Sequence, residues 1–304
     1  MTITQVGFIG LGNMGSPMAA HLVDAGFALT VSDAAPGVTE RFVAAHPTAV
    51  AAAGPASFAA VETLILMLPT SAIVEDVLER EEVADALAPG CLVIDMSSSE
   101  PLRTRALAAR LQAKGLSMLD APVSGGVRGA KAARLSILVG GSEADLDRAN
   151  PLLATMGKTV IHVGQTGSGH AAKALNNLVS AATMSITVEA VLIGQAFGIA
   201  PGTMTEVLNS SSGRSNTSES KLAQFMTSGT FDSGFSLQLM AKDVGLAVAL
   251  AQALDHRAEL ADQVSAQWSR VAGQTGPTTD HTQMYTLLNE EPPEEPEKAE
   301  GEPR

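Results

Sequence analysis

The hydrophobic pattern of this chain changes period near residue 165, and that change limits the architectures open to it. Before it, short β-type runs at 5–9, 28–32, 63–68, 91–95, 117–120, 135–139 and 159–163 alternate with helical spacing at 15–25, 39–45, 73–78, 101–114 and 144–155. Strands that alternate with helices imply βαβ units and a parallel sheet covered on both faces. A doubly wound α/β domain is therefore expected over residues 1–164. After Gly164, Gly167 and Gly169 the β-type runs stop, and 170–200, 203–209, 218–226, 237–254 and 258–271 read as helices. A glycine cluster at a change of period marks a domain boundary. Residues 165–289 are expected to be all-α, entered by one long helix that starts near His170 and meets no breaker before Gly194.

At 304 residues and 45% hydrophobic, the chain can bury two cores. Only 3% of it is aromatic, so those cores must be built from Ala, Val, Leu, Ile and Met. A net charge of −13 argues against a nucleic acid or an anionic membrane as partner, since such binders carry a basic face. Residues 290–304 hold seven Glu against Lys298 and Arg304, a net of −5, which leaves −8 on the rest. That tail, rich in Glu and Pro, lacks the apolar residues that offset ordering entropy and is expected to be disordered.

The single Cys91 has no intramolecular disulfide partner, which fits a reducing compartment, and a cytoplasmic protein is expected. It heads an apolar run and is expected in the core. Residues 1–15 lack the basic and apolar regions of a secretion signal. The apolar stretch 178–200 carries Ser180, Thr183, Ser185, Thr187, Glu189 and Gln195, which argues against a bilayer crossing.

Between the first strand and the first helix lies Gly10-Leu11-Gly12-Asn13-Met14-Gly15. A glycine triad with this spacing is weak evidence alone, but its placement is where a dinucleotide pyrophosphate meets free backbone N–H groups and a helix N-terminus. Gly10 permits the tight turn, Gly12 the approach of the phosphates, and Gly15 close packing of helix on strand. Asp33 ends the second strand, where such sites place a carboxylate on the adenosine ribose hydroxyls. Ala34 and Ala35 offer no cation for a 2′-phosphate, so NAD is expected over NADP. Taken alone, Asp33 also fits a solvated strand-end carboxylate. Leu68-Pro69-Thr70 and Ser97-Ser98-Ser99 follow later strands, at carboxyl ends where ligands of open α/β sheets collect.

Four segments in order make a more specific pattern: residues 7–19 around the glycine turn; Asp120-Ala-Pro-Val-Ser124-Gly125-Gly126; Gly167-Ser-Gly-His-Ala-Ala-Lys173-Ala-Leu-Asn-Asn177; and Phe235-Ser-Leu-Gln-Leu-Met-Ala-Lys242-Asp243. Over about residues 5–288 the chain resembles the β-hydroxyacid dehydrogenase family, which includes 3-hydroxyisobutyrate dehydrogenase and tartronate semialdehyde reductase. The resemblance implies a Rossmann-type domain, then an all-α domain joined by a long helix, and NAD(P)-linked oxidation of a short acid with a hydroxyl β to its carboxylate.

On a helix Lys173, Asn177 and Ser180 share one face. Oxidising an alcohol needs a group that takes the hydroxyl proton, and a partly desolvated lysine has its pKa lowered toward that task. From the helix alone a solvated surface lysine is the plainer reading. The resemblance implies that Lys173 is the acid/base and that Asn177 holds the substrate hydroxyl. Ser124, Gly125 and Gly126 supply a hydroxyl and two open N–H groups suited to a carboxylate. By the same resemblance Lys242 lies near the nicotinamide or the substrate carboxylate, and Ser98 touches the dinucleotide; Leu68 and Pro69 are expected to touch it from their place at a strand's carboxyl end. Asp243 reads as a local pair.

The chain departs from the family at Ala133-Arg134-Leu135, where Gly-Thr-Leu is common, so that turn is expected to differ. Arg128 is either a surface residue or an extra anion contact. His162 and His170 have no second ligand at metal spacing, and no metal is expected. Ser124 has no nucleophile-elbow context. The partner is a small hydroxyacid or semialdehyde, which the helical domain reads through residues such as Arg214, Lys221 and Phe235. An apolar helix over 171–200 points to a homodimer or homotetramer. Two alternatives are an imine reductase, which generally replaces the lysine, and a non-catalytic dinucleotide-binding protein.

Overall fold

The computed structural model describes residues 4–289; the acidic tail read as disordered lies outside the described residues. The chain forms two compact units, one running to Val179 and including Ala241–Ser265, the other made of Ser180–Met240 and the residues from Ala266 on.

In the first unit the strands are β1 (Gln5–Ile9), β2 (Ala28–Ser32), β3 (Val50–Ala51), β4 (Thr63–Leu66), β5 (Leu92–Asp95), β6 (Ser117–Asp120), β7 (Val123–Ser124), β8 (Leu135–Gly140) and β9 (Gly157–Gly164). Between them lie α1 (Gly15–Asp24), α2 (Val38–Ala45), α3 (Ser71–Glu75), α4 (Val83–Ala86), α5 (Pro101–Ala113), α6 (Gly126–Lys131) and α7 (Glu143–Met156). The strand order is β3-β2-β1-β4-β5-β6-β8-β7, with β9 beside β8. All pairings from β3 to β6 are parallel, the Rossmann arrangement. β8 runs antiparallel to β6 and β7 and parallel to β9. The excursion through β7 and α6 reverses the chain there, and hydrophobic periodicity reports a strand without its direction.

Side chains alternate between two cores. Ile65, Leu92, Ile94 and Leu119 join one cluster, with Met18 and Leu22 of α1 and Leu152, Leu153 and Met156 of α7. Their strand neighbours Leu64, Leu66, Val93 and Met118 join the other, with Val74, Leu107 and Leu111. Period two with both faces apolar is what a sheet covered on both sides requires. Cys91 is 2% exposed in the second cluster, and burial pushes its thiol up to about 11. The register brings Ile9, Ser32, Leu66, Asp95 and Asp120 into one row across five strands. The loops that follow this row therefore emerge along one edge.

α8 (Ser168–Phe197) begins in the first unit and ends in the second. The second unit also holds α9 (Pro201–Ser210), a π-helical stretch Ser218–Met226, the start of α10 (Leu237–Ala253), the end of α11 (Glu259–Ala272) and α12 (Met284–Leu287). Trp268 is fully buried there and donates its indole N–H to Ser185 Oγ at 3.1 Å. By length and apolarity α8 is, among the described residues, the one helix able to cross a membrane. Polar residues noted in the sequence have partners in the second unit: Ser180 accepts from Lys221, Ser185 from Trp268, Glu189 from Gln267 and Gln195 from Tyr285. Lys173 and Asn177 are buried in the first unit and Ser185 in the second, as in a core helix.

Ala133 takes φ +51°, a conformation that glycine adopts freely. The turn before β8 thus holds an alanine in the left-handed region.

Candidate active site

The glycine turn leaves the carboxyl end of β1. Gly10, at φ +100°, gives its N–H to the Ser32 carbonyl at 2.9 Å, and a Cβ there would run into the Met67 carbonyl. A Cβ on Gly15 would strike the Gly10 carbonyl oxygen, so α1 closes onto the turn only because Gly15 has none. Gly12 is different: a Cβ there would meet nothing within 4 Å. The protein itself does not need that glycine, whereas a phosphate drawn against the backbone does. The N–H groups of Gly12, Asn13 and Met14 have no acceptor among the described residues. This open cradle of donors at a helix start fits a dinucleotide pyrophosphate.

Asp33 follows β2. Its Oδ2 accepts the Leu11 N–H at 2.6 Å, and its Oδ1 accepts the Ala35 N–H at 2.8 Å. The carboxylate thus braces the turn while keeping lone pairs for ribose hydroxyls, a fit the sequence anticipates only in its second part.

Lys173 lies on α8 and is 7% exposed. Its ammonium makes no hydrogen bond among the described residues. Burial pushes its pKa down, nearby Asp243 opposes this, and Lys242 adds to it. One turn later Asn177, 5% exposed, donates its amide to Asp243 Oδ2 at 2.6 Å. Asp243 is itself 2% exposed; its Oδ1 has no hydrogen-bond partner among the described residues and lies 3.3 Å from Lys242 Nζ. Lys242 Nζ donates to the carbonyls of Ser98 at 2.9 Å and Pro69 at 3.3 Å. Lys173, Asn177, Lys242, Ser98 and Pro69 are thus brought together around Asp243, which the sequence suggests only as a local pair.

Asp120, at the end of β6, accepts the Gly167 N–H on Oδ1 at 2.6 Å and the His170 N–H on Oδ2 at 2.8 Å. It caps α8 a turn before Lys173. An aspartate 47 residues upstream of its N–H partner carries no local capping signal.

Ser124 ends β7, paired with Ser136 of β8. Gly125 follows at φ +128° and Gly126 at +61°, so the loop depends on glycine at both places. No hydrogen bond among the described residues ties Ser124, Gly125 or Gly126 to the Lys173 group.

In the second unit Lys221 donates to Ser180 Oγ at 3.4 Å, and burial lowers its pKa to about 8. His281, 3% exposed and stacked edge-on against Phe235, is pushed down to about 4 by burial and by Lys221. Arg214 pairs with Glu219 at 3.5 Å on the surface.

A Rossmann sheet with an open phosphate cradle fits a dinucleotide-binding protein, and the family matches and similar dehydrogenases make it an NAD-dependent oxidoreductase acting on a CH–OH group. Residues 5–164 match the family described as the NAD binding domain of 6-phosphogluconate dehydrogenase. Residues 167–288 match the family described as NAD-binding of NADP-dependent 3-hydroxyisobutyrate dehydrogenase. The chain belongs to the β-hydroxyacid dehydrogenase family. It is 39% identical over 252 residues to 2-(hydroxymethyl)glutarate dehydrogenase of Eubacterium barkeri, covering 80% of this chain and 81% of that protein. It is 40% identical over 256 residues to NAD-dependent L-serine dehydrogenase of Pseudomonas aeruginosa, covering 82% and 86%. The solved 3-hydroxyisobutyrate dehydrogenase of Mycobacterium tuberculosis with L-serine superposes with a TM-score of 0.88 at 32% identity, covering 95% of this chain and all of that one.

Proposed function

We propose that this chain oxidises a short β-hydroxyacid of the 3-hydroxyisobutyrate type with NAD, and that Lys173 is its general acid/base. The observation that carries the reading is Lys173 itself, buried, without a hydrogen bond among the described residues and with its charged form disfavoured. A lysine so placed reaches the neutral amine at lower pH than a solvated one, which a proton acceptor needs.

Gly10, Leu11, Gly12, Asn13, Met14 and Gly15 hold the pyrophosphate, Asp33 the ribose, and Leu68, Pro69, Ser98 and Lys242 the nicotinamide end. NAD, when bound, supplies the hydride acceptor. Lys173 Nζ takes the hydroxyl proton during oxidation and returns it during reduction. Asn177 orients the hydroxyl, with its amide set by Asp243. The Ser124 hydroxyl and the N–H groups of Gly125 and Gly126 receive the carboxylate, helped by Lys242.

The compounds in the relatives' names, 3-hydroxyisobutyrate, L-serine and 2-(hydroxymethyl)glutarate, share the core HOCH2–CH(R)–COO⁻. That core asks for one proton acceptor beside one carboxylate cradle. Run in reverse, the same groups reduce a short semialdehyde such as 2-hydroxy-3-oxopropionate.

Residues 165–289 serve as the substrate and dimerisation domain. On α8, Ile186, Ile193 and Phe197 are 62%, 70% and 85% exposed and fall within about 40° of one another at 100° per residue. This apolar stripe supports a homodimer or homotetramer. The lone buried cysteine supports a cytoplasmic setting.

The test is turnover of those three hydroxyacids and of 2-hydroxy-3-oxopropionate with NAD(H) and NADP(H), in wild type and Lys173→Ala. A Lys173→Ala protein that binds NADH normally and keeps most of its turnover overturns the reading.

A further inference from the structure

His170 is 1% exposed, three residues before Lys173, and makes a contact at each ring nitrogen. Nε2 lies 3.1 Å from the Ser97 carbonyl, which only accepts, so Nε2 carries a proton and donates it. Nδ1 meets Thr104 Oγ1 at 2.8 Å. The carboxylates facing the ring are Asp95, 3.8 Å from Nε2, and Asp120, 3.8 Å from Nδ1.

Ser97 is a junction. Its N–H goes to Asp95 Oδ1 at 3.0 Å, and its hydroxyl oxygen accepts the Leu68 N–H at 2.9 Å. The next carbonyl, of Ser98, takes Lys242 Nζ; Lys242 adjoins Asp243, which holds Asn177; and Asn177 returns to α8 one turn past Lys173. The path from His170 through Ser97, Ser98, Lys242, Asp243 and Asn177 closes back along α8, over the stretch of helix that carries Lys173. His170, Lys173 and Asn177 stand at i, i+3 and i+7, so one helix face carries an anchor on either side of the lysine.

We propose that His170 is a positioning residue for the dehydrogenase reaction, closing a ring of contacts that fixes the stretch of α8 bearing Lys173 against the Ser97–Ser98 loop. This rests on the reading of Lys173 as acid/base. Breaking the ring at Asn177 removes a group already assigned to the substrate, whereas breaking it at His170 removes none, so His170 is where the ring can be tested. A small misplacement of a reacting group lowers rates by up to about 100-fold.

The experiment compares His170→Ala, His170→Gln and Thr104→Val with wild type and Lys173→Met. It measures kcat and KM with NAD and a β-hydroxyacid, and the pH dependence of Lys173 labelling by acetic anhydride, read by peptide mass spectrometry. His170→Ala is expected to lose roughly 10- to 100-fold in kcat with KM for NAD within about twofold. Its Lys173 labelling should titrate at higher pH, as water reaches a loosened ammonium. His170→Gln, which restores an N–H donor, recovers most of both, and Thr104→Val shows a smaller change in the same direction. If His170→Ala does not fold, Thr104→Val and His170→Gln decide. Wild-type kcat and labelling in the folded variants, or equal losses in Gln and Ala, overturn the proposal. Turnover retained by Lys173→Met sinks the acid/base reading instead, and the labelling then decides the positioning.

Discussion

Asn177 and Asp243, both buried, are joined by a 2.6 Å hydrogen bond from amide to carboxylate, with the acidic side chain beside the ammonium of Lys173. Asp243 therefore acts on two neighbours at once, orienting one by hydrogen bonding and holding up the pKa of the other by charge.

Asp243→Asn separates these effects, because the amide oxygen still accepts from Asn177 while the charge is gone. With that charge removed, the Lys173 pKa falls further, and the neutral amine exists at lower pH. The acid limb of the pH profile of kcat/KM for oxidation should move to lower pH. An unmoved limb would show that Asp243 does not set the lysine.

Lys173→Met should abolish turnover, by roughly 100- to 10,000-fold for loss of a general base, and yet raise the melting temperature at neutral pH. The folded-state pKa lies below the usual 10.5, so the unfolded chain binds the proton more tightly and wild-type stability rises with pH up to about that value. The gain from Met should shrink over the same range. Thermal melts from pH 7 to 10.5 check it.

His281 has the corresponding acid effect. Its pKa drops from 6.5 to about 4 on folding, so the neutral form is favoured in the native state, and stability is lost as pH falls through that window. His281→Gln should flatten the decline between pH 6.5 and 4, measured by urea unfolding.

Gly12→Ala and Gly15→Ala should fail in different ways. The first has room in the protein and should fold with an unchanged melting temperature, while KM for NAD rises about tenfold or more. The second forces α1 off the Gly10 carbonyl and should destabilise the fold itself. Equal melting temperatures for the two variants would refute the distinction.

Ala133→Gly should stabilise the protein by about 1 kcal/mol, since the left-handed φ of +51° strains an alanine. A lower melting temperature would mean that the extra freedom of glycine in the unfolded chain outweighs the strain.

Sequence alone determined what depends on neighbours along the chain. Strand 5–9, the turn at Gly10–Gly15, Asp33 at the end of β2 and the long helix bearing Lys173 and Asn177 are all signalled by period, by glycine and by short spacing. Five elements escaped because they are too brief for a period: β3 and β7, two residues each, α4 and α12, four each, and α6, six. The direction of β8 escaped because alternation is the same in either sense. Tertiary structure decided which side chains meet Lys173. Asp243 reaches Asn177 across 66 residues, His170 reaches Ser97 across 73, and Lys242 reaches Ser98 across 144. Strand order and register bring the loops after β4 and β5 to one edge of the sheet, and the return of 241–265 to the first unit brings Lys242 and Asp243 to them; no local pattern encodes such contacts.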